Sequence, residues 1–454
     1  MNQFLLDDQT MRRFVRRGYI VLKPGYKPGF DEMIYRKVEE TIEKHGNPGN
    51  NLLPRLPELQ PMLDHPVVVG ALQSILGSDY YLHLHRHLHE RGPGGADQKM
   101  HKDSPDNSRF AADDTRRHHR TRWCMLFYYP QDTPVELGPT AVVPKSQYLN
   151  TQWPRGEEEI ALHGPAGTVV IAHYDILHRG MENQLDHNRH MIKFLFARMS
   201  EPGAPSWNHI DREWEQSDDD QAPIWQDVWR WHLGNRSNAA STRKTVEDSI
   251  SDMPAESLSS ATEIEGLRAA YGLGSRGSES TPLLIDALRS EESDAARNAA
   301  YGFNMIGSAC VPALVDATSD ESRVRARIFD VLGDMGLSAA ASVPALLKGL
   351  EDPDEDPRRR AAEALGTAGQ SHIDLGAPLA EMLRSDPSGE VRRTAALSVA
   401  RLGTKAAAAV PALSEAMMDE NHYVRGYSVH ALTRIGTPDA TAAVLKHLQA
   451  MRWD

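Results

Sequence analysis

The segment Gln98-Lys99-Met100-His101-Lys102-Asp103 sets an imidazole and a carboxylate two residues apart. On an extended backbone, residues i and i+2 project to the same side. His101 and Asp103 can therefore face one metal ion while Lys102 points away. His178 lies 75 residues beyond Asp103, after the strand-like run Gly167 to Ala172. A second imidazole completes a two-His, one-carboxylate set, which suits Fe(II) and leaves open positions on the opposite face of the ion. Arg189 follows, directly ahead of the apolar run Met191 to Phe196. A guanidinium there can grip the far carboxylate of a dicarboxylate co-substrate through a two-pronged fork that lysine cannot reproduce. In a chain with 20 histidines a lone His-x-Asp arises by chance, and any single one could be an ordinary surface or core residue. The full constellation carries the reading. His173-Tyr174-Asp175 is a second His-x-Asp pair, but it would crowd all three ligands onto one strand end and leave His101 and Asp103 idle; the earlier pair is preferred.

The elements that must position these residues are legible in outline. Helical spacing marks Asp7 to Arg17 and Gly29 to His45. Short runs rich in β-branched and aromatic residues predict strands at Tyr80 to Leu88, Arg122 to Tyr129, Thr140 to Val143, Gly167 to Ala172 and His190 to Met199. Helices first and many short strands afterwards predict a helix-backed sandwich or barrel. Trp225, Trp229 and Trp231, at near-helical spacing, are expected to pack a closing helix onto this domain, and Ser217 to Asp220 to form a solvated turn. The loop between Asp103 and Trp123 holds Arg109, Arg116, Arg117, His118, His119, Arg120 and Arg122. It reads either as a lid attracting an anionic substrate or as a solvated insertion.

Residues 1 to about 200 resemble the phytanoyl-CoA dioxygenase family of 2-oxoglutarate oxygenases. The matching residues are Asp7-Asp8-Gln9 to Phe14; Gly18-Tyr19-Ile20-Val21; Gln98, His101 and Asp103; Gly138 to Ser146; and Gly167, His178, Asn183 and Arg189. The resemblance implies a double-stranded β-helix, a distorted jelly roll. It also implies Fe(II) held by His101, Asp103 and His178, with 2-oxoglutarate held by Arg189. Two departures stand out. Lys145-Ser146-Gln147 replaces the family's Gly-Ser-His turn. Gly180 stands two after the distal histidine, so no hydroxyl there can assist Arg189, and the second co-substrate contact falls among Thr140, Gln98 and Arg122. Related halogenases carry a small residue at the carboxylate ligand; Asp103 occupies that position, which favours hydroxylation or desaturation.

From residue 261 onward the sequence repeats itself. Val311-Pro312-Ala313-Leu314 recurs at 343–346 and 410–413, and prolines at 282, 312, 344, 378 and 411 step by 30, 32, 34 and 33 residues. Proline suits the first turn of a helix and glycine the position just past its end, so the unit is helix-turn-helix and the array a solenoid. It is similar to short HEAT repeats. Arg325, Arg358, Arg392 and Arg425 recur with Asp320, Asp352, Asp386 and Asp419, and each arginine is expected to pair with the acidic turn before it. The predicted organisation is an oxygenase domain over 1–235, a linker over 236–260 and an all-α solenoid over 261–454.

Composition bounds the rest. A formal net charge of −13 argues against general nucleic-acid binding. Two distant cysteines, Cys124 and Cys310, exclude a disulfide framework and fit a reducing cytoplasm. Neither a secretory signal nor an apolar run of membrane-spanning length is read. The expected activity is dioxygenase chemistry, hydroxylating an unactivated C–H of a small-molecule or carrier-bound substrate, an anionic one where the arginine-rich loop is a lid. The alternatives are a protein substrate or partner docked by the repeats, or a pure interaction scaffold.

Overall fold

The computed structural model describes residues 3–103, 118–150, 153–154, 156–211, 213–215, 217–234, 255–260, 262–372 and 375–450. The chain divides into two compact units, residues 1–234 and 235–454. The first holds two antiparallel sheets. One has five strands in the order β1 (Tyr19–Leu22), β6 (Thr168–His173), β3 (Trp123–Tyr129), β8 (Arg189–Arg198), β2 (Tyr80–Arg91); the other has the order β5 (Ile160–Ala161), β4 (Thr140–Val142), β7 (His178–Gly180). Strand β3 is the centre of the larger sheet and is buried along its whole length. Both its faces are covered, so it reads as a continuous apolar run instead of an alternation.

Two helices matter for the site. Helix α1 (Asp8–Arg17) starts on Asp7, whose carboxylate accepts the Thr10 amide at 2.7 Å, and ends at Gly18, which has φ of 80°. A side chain at position 18 would collide with Gln147 Oε1 at 2.6 Å. That close approach is used: Gln147 Nε2 and the Tyr148 hydroxyl both donate to Val15 O, at 3.0 and 2.8 Å. Helix α2 (Phe30–His45) lies nearby in sequence, and Asp31 within it accepts a 2.5 Å hydrogen bond from Tyr128 on β3. The expected closing helix exists as α3 (Ala222–His232). Its Trp225 and Trp229 are fully buried, and Arg16 and Arg12 of α1 lie over their rings at 5.3 and 5.1 Å. Trp231 instead receives the guanidinium of Arg198 at 5.1 Å.

The second unit is the repeat array. Prolines 282, 312, 344 and 411 occupy the first turn of their helices, and Gly307, Gly336, Gly403 and Gly436 follow helix ends with positive φ. Ser322–Gly349 is long and apolar enough, by length and composition, to cross a membrane, which the sequence reading had not picked out. It is a pair of repeat helices punctuated by Gly336, with half of its apolar window buried.

The arginine pairing differs from expectation. Each arginine donates to a backbone carbonyl of the preceding turn, and Arg325, Arg358 and Arg392 also reach the carboxylate of the following one. Arg358 reaches Asp352 O at 2.9 Å and Asp386 Oδ2 at 2.8 Å; Arg325 and Arg392 bind Asp352 and Asp419 at 2.5 and 2.8 Å. Each aspartate also caps its own turn, as Asp386 does for the Ser388 amide at 2.9 Å. One ion pair thus ties each repeat to the next, a contact that sequence proximity could not rank against the nearer turn. Arg425 makes the carbonyl contacts, to Asp419 O and Glu420 O at 2.7 and 3.0 Å. Asp386→Ala should therefore lower the stability of the array by about 2 kcal/mol, within the range for a hydrogen-bonded charge pair. Urea titration checks it; a change under about 0.5 kcal/mol would mean the ladder is ornamental.

Candidate metal centre and co-substrate cradle

Two neighbouring backbones bring the ligand candidates together. His101 and His178 face each other in an antiparallel bridge, with His101 N donating to His178 O at 3.0 Å and His178 N to His101 O at 2.8 Å. Their rings lie 4.6 Å apart. Three residues earlier, Gln98 N donates to Gly180 O at 2.9 Å, so the segment runs beside β7. Lys102 points the other way. Its ammonium donates to Ser146 O, Leu149 O and Asp175 O at 2.6, 2.5 and 2.6 Å. An ammonium has three donors, and here three carbonyls receive them. Because side chains alternate along an extended backbone, fixing Lys102 on one side sends His101 and Asp103 to the other.

His101, Asp103 and His178 each offer one ligand atom, all within 4.8 Å of one another. The Nδ1 atoms of His101 and His178 lie 2.8 and 3.0 Å from Lys99 O and Ile176 O. A carbonyl only accepts, so Nδ1 carries the proton and Nε2 is left with the lone pair a metal needs. Burial, followed by the neighbouring His178, keeps the His101 pKa below its ordinary value and the ring neutral. Asp103 Oδ1 lies 3.6 Å from His178 Nε2, while Oδ2 is paired with Lys193 of β8. Burial alone would raise the Asp103 pKa; Lys193 and His178 outweigh it and hold the carboxyl well below the ordinary range. Two imidazole Nε2 atoms and an ionised carboxylate are the donor set Fe(II) takes, so the residues fit the ion.

Beside this centre is a cationic cradle at Gly180. A Cβ on Gly180 would meet Arg91 Nη2 at 2.8 Å, Gln98 Oε1 at 3.0 Å and Arg189 Nη2 at 3.4 Å. Three polar side chains thus converge on the space a larger residue would fill. Arg91 and Arg189 are directly paired across β2 and β8, and Thr140 is paired with Gly180 across β4 and β7. Arg189 is oriented by Gly138 O, which accepts from Nε at 3.1 Å, and Gln98 Oε1 accepts from Gly180 N at 2.8 Å. Burial lowers the pKa of both arginines, and for Arg189 the charge of Arg91 adds to it. Arg189 is buried and Arg91 half-buried, with the Arg91 guanidinium also donating to Ala96 O; two guanidiniums side by side favour an anion between them.

The structure places Gln98 and Arg189 at Gly180 and pairs Thr140 with it across the sheet, but Arg122 lies elsewhere. That guanidinium forms a buried fork with Glu201, at 2.8 and 3.1 Å, and stacks on Trp231, so its donors are taken. Arg91 and Lys193 escaped the sequence reading. Their only signal was register: Arg91 faces Arg189, and Lys193 falls on the same side of β8 as Arg189, four residues on. In the second His-x-Asp pair, the Asp175 amide donates back to His173 Nδ1 at 3.1 Å, and Asp175 O serves Lys102, which makes this pair a turn. Of the arginine-rich loop, Arg109, Arg116 and Arg117 lie outside the described residues. His119 contacts Tyr148 O at 3.0 Å and Arg120 pairs with Asp227 at 2.8 Å, both structural.

Residues 31–191 match the phytanoyl-CoA dioxygenase (PhyH) family, and residues 281–366 and 376–454 match HEAT repeats. No curated protein matches the chain. Among solved structures, the non-haem α-ketoglutarate-dependent carbocyclase SnoK from nogalamycin biosynthesis is 17% identical over 43% of this chain and 85% of its own, with a TM-score of 0.36. EctD from S. alaskensis with bound Fe is 15% identical over 47% and 84%, TM-score 0.38. The epimerase SnoN with Fe3+, α-ketoglutarate and nogalamycin RO is 13% identical over 42% and 86%, TM-score 0.35. Residues 31–191 are thus similar to a phytanoyl-CoA dioxygenase domain, and the two later segments to HEAT repeats.

The Lys102 anchor leads to a test. Lys102→Met removes three hydrogen bonds without touching a ligand, so Co(II) affinity measured by calorimetry should fall about 10-fold or more, the usual effect of removing an outer-shell support. Unchanged affinity would show that the bridge alone sets the ligand geometry.

Proposed function

We propose that this oxygenase domain binds Fe(II) through His101 Nε2, His178 Nε2 and Asp103 Oδ1, and hydroxylates an unactivated C–H of a small-molecule or carrier-bound substrate. When bound, iron and 2-oxoglutarate supply dioxygen activation coupled to decarboxylation of the co-substrate to succinate. The observation that carries the proposal is the juxtaposition of a three-donor metal site with a cradle of two guanidiniums at Gly180.

The chain's own residues divide the work. His101 and His178 hold their rings by Nδ1–H bonds to carbonyls, so neither can rotate away without losing one. Lys193 occupies Asp103 Oδ2 and leaves Oδ1 for the metal, which favours one-oxygen ligation. Arg189 and Arg91 grip the distal carboxylate of 2-oxoglutarate, with Gln98 and Thr140 at the rim. Arg91 takes the place that a hydroxyl two residues after the distal histidine would otherwise fill. Asp103 itself occupies the position that a halide would need, which favours hydroxylation over halogenation.

Anaerobic addition of Fe(II) and 2-oxoglutarate to the full chain should produce the visible metal-to-ligand charge-transfer band of the chelate. His101→Ala should abolish it, and a surviving band would remove His101 from the ligand set. Arg91→Ala should retain Fe(II) binding but weaken 2-oxoglutarate by about 10- to 100-fold, as expected for losing a charged hydrogen bond of ~1.5–3 kcal/mol. An unchanged dissociation constant would leave Arg189 as the sole clamp.

A further inference from the structure

On its side away from the metal ligands, helix α1 carries Arg12, Arg13, Arg16 and Arg17 in a chain whose net charge is −13. Like charges at i and i+4 disfavour a helix by a few tenths of a kcal/mol per pair, and two such pairs occur here. The four arginines line a cavity of about 510 Å³ together with Lys145, Trp214 and Trp225. Its wall also holds Glu157 and Glu215, and Asp211 and Asp219 pair with Arg12 and Lys145, so the uncompensated positive charge sits on Arg13, Arg16 and Arg17.

The partners are unequally shared. Arg12 pairs with Asp211 at 2.7 Å, and Lys145 pairs with Glu157 and Asp219, each at 2.8 Å. Arg13, Arg16 and Arg17 have no carboxylate partner among the described residues. Arg16 lies over the Trp225 ring at 5.3 Å and Lys145 over the same ring at 5.8 Å, so both heads are held before any ligand arrives. Trp225 is fully buried, and its Nε1 has no hydrogen-bond partner among the described residues; the same holds for Arg12 Nε. A buried indole N–H without an acceptor is costly in a folded protein.

The geometry points to a second ligand site here, for a small phosphate-bearing anion. Several guanidinium forks around one cavity suit a tetrahedral group with three or four acceptor oxygens better than a planar carboxylate. The site is connected to the metal centre through one turn. Lys145 N donates to Arg17 O at 3.4 Å, and the next residue, Ser146, accepts the Lys102 ammonium through its carbonyl. Lys145 has φ of 63°, the left-handed region that L side chains rarely adopt.

Calorimetric titration of metal-free full-length protein with inorganic pyrophosphate tests the site. Saturable one-to-one binding is expected, weakened at least tenfold in Arg13→Ala/Arg16→Ala and unchanged in Arg91→Ala. Absence of saturable binding, or equal affinity in the double variant, overturns the proposal; so does loss in Arg91→Ala alone, which would place the anion in the co-substrate cradle. Succinate binding as tightly as pyrophosphate would overturn the phosphate preference. Should circular dichroism show the double variant unfolded, Arg13→Gln, at an exposed position, carries the same test: at least threefold weaker binding supports the site, and no change overturns it.

Discussion

The ammonium of Lys102 is the contact on which the metal centre depends. The ligand segment is no ladder-bound strand; it is a short extended stretch joined to β7 by the His101–His178 bridge. What fixes its rotation is the set of three carbonyls that receive Lys102 Nζ. Two of those carbonyls belong to the turn at 146–149, whose Gln147 and Tyr148 side chains also close the end of α1. Helix α1, the turn and the ligand segment are therefore joined by one continuous set of hydrogen bonds, buried at the turn and open to solvent at His101. Buried polar groups tolerate little displacement, because each lost partner costs roughly 1–3 kcal/mol. Rigidity of that kind is what a metal site and an oriented co-substrate both need.

Charge is distributed against the average of the chain. An acidic protein concentrates guanidiniums at Gly180 and along α1. Elsewhere arginines are spent on structure: Arg120 with Asp227, Arg122 with Glu201, and the repeat ladder. The contrast separates arginines paired with carboxylates inside the fold from Arg13, Arg16, Arg17 and Arg189, which have no carboxylate partner among the described residues. In the repeat unit the ladder is economical, since the same aspartate caps its own turn and receives the arginine of the preceding repeat. Neighbouring repeats are thus tied by a recurring directional contact as well as by apolar packing.

Much of this was legible from residue types and local spacing. The repeat period, the Pro and Gly punctuation, the strand runs, and the His-x-Asp, His and Arg order all rest on interactions between residues close in sequence or on alternation along one strand. Those are encoded directly in the chain. The pairing of the ladder, the diversion of Arg122 to Glu201, and the arrival of Arg91 and Lys193 at the site were not. Each depends on which strands or turns become neighbours, and a guanidinium carries the same chemistry wherever it is placed.

The sequence alone thus determined the kinds of elements, the ligand types and the architecture of the second unit, because periodicity and side-chain alternation are local. Only the tertiary structure decided which cations share a pocket. Strand register placed Arg91 opposite Arg189 and left Gly180 between them, and a one-residue slip would have turned those side chains to the other face of the sheet.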